Sequence, residues 1–299
     1  MCRTDNLVRR RVDGQDCPSH GNVMGESKFI TAARHLVLLL FVAIALYPAL
    51  NVLSISLRPD NRLRSTDLAI IPENWSFNSY VQLFTEQPFL RWLGNSLVVA
   101  AGVTVTGVAL AAIGGYAFSR YRFVGRNATM LAILTTQMFP ATMLLLPLYI
   151  VIAKLHLIDT YLGLMVFYTS TALPFCVWQM KGFYDTIPAS LEEAARIDGC
   201  SRGVAFWRVI LPLAVPGLVI TALFSFMAAW SEYIVAAQVM QDEDMFTLPL
   251  GLKSFQSSLS TQWGLYAAAS ILVSLPVVLV FLMLSRYLVS GLTLGSVKE

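Results

Sequence analysis

At 299 residues, with 56% hydrophobic and 13% charged side chains and a mean hydropathy of +0.64, the chain has too few polar groups to clothe a soluble fold and reads as a membrane protein. Its formal charge of +3 is small and its basic residues are scattered between apolar runs, which excludes a nucleic-acid footprint. The four cysteines, Cys2, Cys17, Cys176 and Cys200, show neither C-x-x-C spacing nor nearby histidines, so no zinc or redox motif is supported and reduced thiols are expected.

In chain order, residues 1–35 are polar, carry Arg9, Arg10, Arg11, Lys28 and Arg34, and show no helical or strand period. They are read as a disordered cytoplasmic tail. Met24, with a short basic lead behind it, is an alternative start site. No apolar stretch precedes Cys17, so neither a lipoprotein signal nor a cleavable signal peptide is expected, and the first long run stays as an anchor.

That run, residues 36–57, is long enough to cross roughly 30 Å of hydrocarbon at about 1.5 Å per residue. Residues 58–94 form an external loop with Trp75, Phe77, Tyr80 and Phe84, and a surface helix is expected after Ser76-Phe77-Asn78. Further apolar runs at 95–118, 130–153, 162–180, 213–240 and 265–285 bring the total to six spanning helices, and residues 95–288 make the core with the last five of them. A short tail, 289–299, follows.

Within the second span Gly107, Ala111 and Gly115 recur every four residues, a small-residue face that lets another helix approach closely. Pro48, Pro140, Pro147, Pro174, Pro216 and Pro276 interrupt spans, freeing backbone carbonyls and permitting kinks. Residues 241–263 are polar with interspersed aromatics, and either meet a soluble partner outside or serve as a passive connector. With the N-terminus inside, fifteen Lys and Arg residues fall on the cytoplasmic side and six on the other, so both termini and the 185–212 loop are expected in the cytoplasm.

No G-x-x-x-x-G-K-[ST] occurs, so the chain holds no ATP phosphates in a P-loop of its own. His20, His35 and His156 are scattered, and no Ser or Cys has a nucleophile's setting, so no enzyme is expected. Glu232 lies within the fifth apolar run, where a charged carboxylate costs roughly 2.5 to 3.5 kcal/mol on insertion scales and must face protein or water. It reads either as a pathway residue or as a helix-locking carboxylate, and Gln137 and Gln179 carry the same two readings.

The charged island PASLEEAARIDG stands between two apolar segments. Ser190 and Glu193 have capping-box spacing, which places a helix start at Leu191, and Gly199 can close the helix in a left-handed conformation. A helix so far below about 12 residues is marginal alone and needs contacts to persist. Ala194 and Ala195 allow close approach, Glu192, Glu193 and Asp198 offer charge partners, and Phe206 and Ile210 would pin the following segment to the bundle. These residues alone leave open a transport subunit, a self-sufficient secondary carrier and a membrane scaffold.

Glu193-Ala194-Ala195, three residues, Gly199, then Val209 in an isoleucine position and Leu211-Pro212, resembles the signature loop of the membrane-spanning subunits of bacterial ATP-binding-cassette importers. The pieces QMFPA, WQMKGFYDTIPASLEEAARIDG and LVSGLTLGSVKE are similar to the shorter membrane subunit of maltose importers, in the wider carbohydrate group. The resemblance implies an all-α, six-helix type I importer permease in a bacterial inner membrane. It implies that Ser190, Glu192, Glu193, Ala194, Ala195, Asp198 and Gly199 dock an ATPase subunit. It also implies a second homologous permease subunit, an ATPase dimer holding ATP and magnesium, and an extracytoplasmic sugar-binding protein, with no cofactor on this chain beyond surrounding lipid. The implied cargo is maltose or malto-oligosaccharide, with trehalose, other sugars or glycerol phosphate as alternatives. Gln137 and Glu232 would line the pathway, and residues 241–263 match in position a loop that enters the binding protein's cleft.

Overall fold

The computed structural model describes residues 28–59, 74–256 and 261–294. The basic residues before Lys28, the two start sites, Arg62, Arg64 and the last five residues lie outside them. Apart from turns and connecting loops the described part is helical, with an isolated antiparallel pairing of Gln256 with Thr261. It divides after Ala49 into two compact units.

The first helix, α1 (Lys28–Ser56), begins eight residues ahead of the expected span, so 28–35 are helical rather than tail. Ala32, Ala33 and Arg34 favour helix, and the His35 ring donates to the Thr31 carbonyl at 2.7 Å within that turn.

In the second unit, α2 (Asn78–Thr85) follows the expected turn, with Asn78 N–H donating to the Ser76 hydroxyl at 3.1 Å and Ser79 and Leu83 buried. Next comes α3 (Phe89–Arg120), a 32-residue helix starting six residues before the expected span. Its small-residue face does what the spacing predicts. A methyl group at Gly107 would lie 2.7 Å from Ser225 Oγ, and one at Gly115 would lie 2.7 Å from Met180 Cβ and 2.9 Å from the Lys181 backbone nitrogen.

The third expected span is not one helix. It is divided into α4 (Arg126–Thr136) and α5 (Ala141–Lys154) around Pro140. Proline disfavours the helical conformation at the preceding residue, and neither piece, at about 16 and 21 Å, matches a roughly 30 Å hydrocarbon core. The next span, α6 (Tyr161–Thr186), is capped by the Thr160 side chain, which accepts from Gly163 N–H.

After α6 come α7 (Ala189–Ile197), α8 (Arg202–Ala205), a π-helical turn at Phe206–Ile210 and α9 (Leu211–Leu213). Then α10 (Val215–Trp230) leaves the Arg202–Leu213 segment at a 75° bend, with Pro216 in its first turn, where a missing N–H costs nothing. The fifth expected span also breaks, at Ser231–Tyr233, before α11 (Ile234–Val239). A 3₁₀ turn (Glu243–Met245) and α12 (Leu248–Ser254) fill much of the 241–263 region, and α13 (Trp263–Leu294) runs past the expected end of the last span. Four described helices are long and apolar enough to cross a membrane, five if the bent pair counts as one span.

Two buried clusters hold the unit. One gathers Leu83, Phe89, Trp92, Phe167, Trp230 and Leu248 near the start of α3, and the other gathers Tyr116, Met180, Tyr184, Phe206 and Ile210 near its end. Phe206 and Ile210 thus pin the segment after α8 as their spacing predicts.

Candidate functional site

Three sites depend on where α3, α7 and the helix breaks fall. The first is α7 itself. Its N-cap is Pro188, with φ −57° and ψ 131°, and it makes no side-chain cap bond. The Ser190–Glu193 capping box does not form. Because the helix starts at Ala189, two residues early, Ser190 already has helical backbone and is exposed. Its other end closes as Gly199 predicts. At φ 87° that glycine lets Gly199 N–H reach the Arg196 carbonyl at 3.1 Å and Cys200 N–H reach the Ala195 carbonyl at 3.0 Å, the paired bonds of a Schellman stop.

The two faces of α7 differ. Ala195 is buried, and Glu192 turns inward, where it accepts the Tyr116 hydroxyl at 2.6 Å and pairs with Arg120 Nε at 3.3 Å. Both charged side chains are only 13% exposed. Arg120 also donates to the Ile187 carbonyl at 2.7 Å, and Ser119 donates to Asp185 at 2.6 Å, so the last turn of α3 grips the end of α6 and the start of α7. Lys181 closes the group through an ion pair with Asp185. Glu193, Ala194 and Asp198 lie on the exposed side with Leu191 and Ile197, the last 86% exposed. Of the expected docking residues, Ser190, Glu193, Ala194, Asp198 and Gly199 are therefore free to meet a partner, whereas Glu192 and Ala195 are committed to the bundle. Beside α7 a hollow of about 170 Å³ is lined by Arg120, Tyr121, Glu193, Arg196 and Arg202, with Arg202 over the Tyr121 ring at 5.7 Å.

The second site is a cleft of about 260 Å³ that brings Gln137 and Glu232 together with Tyr168, Thr171, Phe175 and Phe224. Each of the two polar residues sits at a helix break. Gln137 ends α4 and donates to the Thr171 carbonyl of α6 at 2.9 Å. Glu232 lies between α10 and α11 and accepts Val235 N–H at 2.8 Å, satisfying an orphan donor at the start of α11. A carboxylate is thus stabilised in an apolar run by the backbone it caps, and it still borders the cleft. Phe175 and Phe224 meet edge to face at 5.3 Å, forming an apolar wall. Gln179 is not part of this lining.

The third site went unread in the sequence. At the start of α3, Asn95 donates to the carbonyls of Asp244 at 2.9 Å and Phe246 at 2.8 Å and accepts the Tyr161 hydroxyl at 2.7 Å. Trp92 Nε1 donates to the Glu243 carbonyl at 3.0 Å, the Ser96 hydroxyl accepts Leu248 N–H at 2.7 Å, and Arg91 pairs with Asp244 at 2.7 Å. A methyl at Gly251 would run into the Trp92 ring, so α12 rests directly on the indole. The 242–254 segment is accordingly packed onto α3. Asn95 opening an apolar run, and Tyr116 one turn before Arg120, were the signals available.

Residues 91–293 match the family model described as the binding-protein-dependent transport system inner membrane component. The chain is 38% identical over 289 residues to the maltose/maltodextrin transport system permease protein MalG of Escherichia coli (strain K12), covering 90% of this chain and 95% of that relative. It is 35% identical over 266 residues to the maltodextrin transport system permease protein MdxG of Bacillus subtilis (strain 168), covering 88% and 95%. It is also 36% identical over 263 residues to the inner membrane ABC transporter permease protein YcjP of Escherichia coli (strain K12), covering 87% and 94%. Its fold matches a chain of a bacterial ABC transporter involved in the import of the acidic polysaccharide alginate, with TM-score 0.75 and 24% identity over 87% of this chain and 96% of that one.

Proposed function

The chain belongs to the family of binding-protein-dependent transport system inner membrane components, and from that premise we propose that it forms half of the translocation pathway of an ATP-driven maltose or maltodextrin importer. The permease role follows from the family, and the sugar from relatives at 35 and 38% identity whose names specify maltose and maltodextrin transport. In this reading the chain is non-catalytic. ATP and magnesium are held by a dimer of ATPase subunits, a second homologous permease completes the pathway, and an extracytoplasmic binding protein delivers the sugar. In the same reading both termini and α7 lie on the cytoplasmic side of a bacterial inner membrane, the side favoured by the Lys and Arg count over six expected spans.

The observation that carries the proposal is the division of α7 into two faces. Its inner face is fixed by Glu192 and Ala195, and its outer face presents Glu193, Ala194 and Ile197 with no partner in the subunit among the described contacts. A nine-residue helix held rigidly from behind, with small, charged and apolar side chains in front, suits insertion into a protein groove. The cleft at Gln137 and Glu232 supplies amide and carboxylate oxygens beside an aromatic wall, a combination suited to sugar hydroxyls and ring faces, and we assign it to the pathway lining.

The test is co-purification of the tagged chain from its native membrane. The expected result is one ATPase, one second permease and, with maltose present, one binding protein. Isolation of the chain alone under conditions that keep other membrane complexes intact would contradict the proposal.

A further inference from the structure

The segments tied to α3 are held near its two ends, at Asn95 and Ser96 and at Tyr116 and Arg120, about 30 to 38 Å apart along the helix. At one end, Tyr116 and Arg120 hold Glu192 of α7. At the other, Asn95 and Ser96, 7% and 4% exposed, hold the backbone of 244–248. Chain connectivity would attach α7 to α6 through Ile187 and Pro188, yet the Ile187 carbonyl is itself held by Arg120. Breaking either clamp leaves a polar group or charge unpaired and withdrawn from water, so each end has a strong preference for staying joined. The helix between them is unbroken from Phe89 to Arg120. Of the four described helices longer than 25 residues, α1, α6 and α13 each contain a proline and α3 does not.

We infer that α3 is the transmission rod of the subunit: displacement of α7 by the ATPase travels along α3 to the 242–248 segment on the opposite side, with Glu192 and Asn95 as positioning residues at its two ends. This rests on the reading of α7 as the docking helix. Glu192 then acts within the subunit, and the ATPase is met by the exposed face beyond it.

The experiment uses the complex purified from native membrane and reconstituted into proteoliposomes, with maltose as the probe, and reads maltose taken up per ATP hydrolysed. In Glu192→Gln and Asn95→Leu the ATPase still co-purifies and hydrolysis persists, while maltose moved per ATP falls about tenfold, within the range of typical coupling energies. Tyr116→Phe, which removes one hydrogen bond and no charge, lowers the ratio less, and Glu192→Asp recovers part of it. An unchanged ratio in either Glu192→Gln or Asn95→Leu, with the complex intact, overturns the rod alone. A loss of hydrolysis in proportion to uptake also overturns it, because a merely structural role would give that result. Absence of an ATPase from the wild-type complex overturns the docking reading and the rod together.

Discussion

Gly199 and Glu192 act on the same short helix by different physics. Gly199 sits at φ 87° with open space around it, so an added methyl meets no neighbour and its cost is backbone strain alone. Gly199→Ala should cost about 1 to 2 kcal/mol of local stability, loosening the end of α7 while leaving the protein in the membrane. Gly199→Pro should be far worse, since it also removes the N–H that reaches Arg196 and locks φ at the wrong sign. Uptake of maltose by whole cells should be reduced with alanine and abolished with proline, at unchanged membrane abundance. Normal uptake by the proline variant would show that α7 need not keep its closure. Glu192 could not be assigned its inward role from the sequence, because its partners Tyr116 and Arg120 are more than 70 residues away.

At the scale of elements, α3 is the member against which α6, α10 and α12 are packed, and its glycines set the spacing. The backbone at Lys181 comes so close to Gly115 that a side chain there has to push α6 away, and overpacking of this kind typically costs about 1 to 3 kcal/mol. Gly115→Val should therefore lower the melting temperature of the detergent-solubilised protein measurably. By contrast, Gly182→Ala on α6, where nothing lies within 4 Å and alanine favours helix, should hold or slightly raise it. Equal melting temperatures for the two variants would contradict the close approach. This face was legible because a four-residue period of small residues has one geometric meaning. The capping box misled because Pro188 starts the helix two residues before Ser190. The divided third and fifth spans were hidden because hydropathy averages over a run and does not register where Pro140, or Ser231–Tyr233, stops a helix. Those breaks place Gln137 and Glu232 on one cleft, a meeting that no sequence spacing could announce.

At the scale of the whole molecule, the second unit is a helical bundle that leaves one short charged helix exposed. The outer face of α7 is exposed, and the family to which the chain belongs takes its name from binding-protein-dependent transport. The all-α class, the membrane setting and the importer signature were all readable because apolar run length and the Glu193–Gly199 spacing are local properties of the chain. The polar clamps were not, since they join residues about 70 and 150 positions apart through buried bonds. The most direct measurement is maltose uptake into proteoliposomes containing either this chain alone or the complex that co-purifies with it. Uptake should require the complete complex and ATP on the α7 side, with none from the chain alone. Uptake by the chain alone, driven by an ion gradient without ATP, would contradict the assignment and make it a secondary carrier.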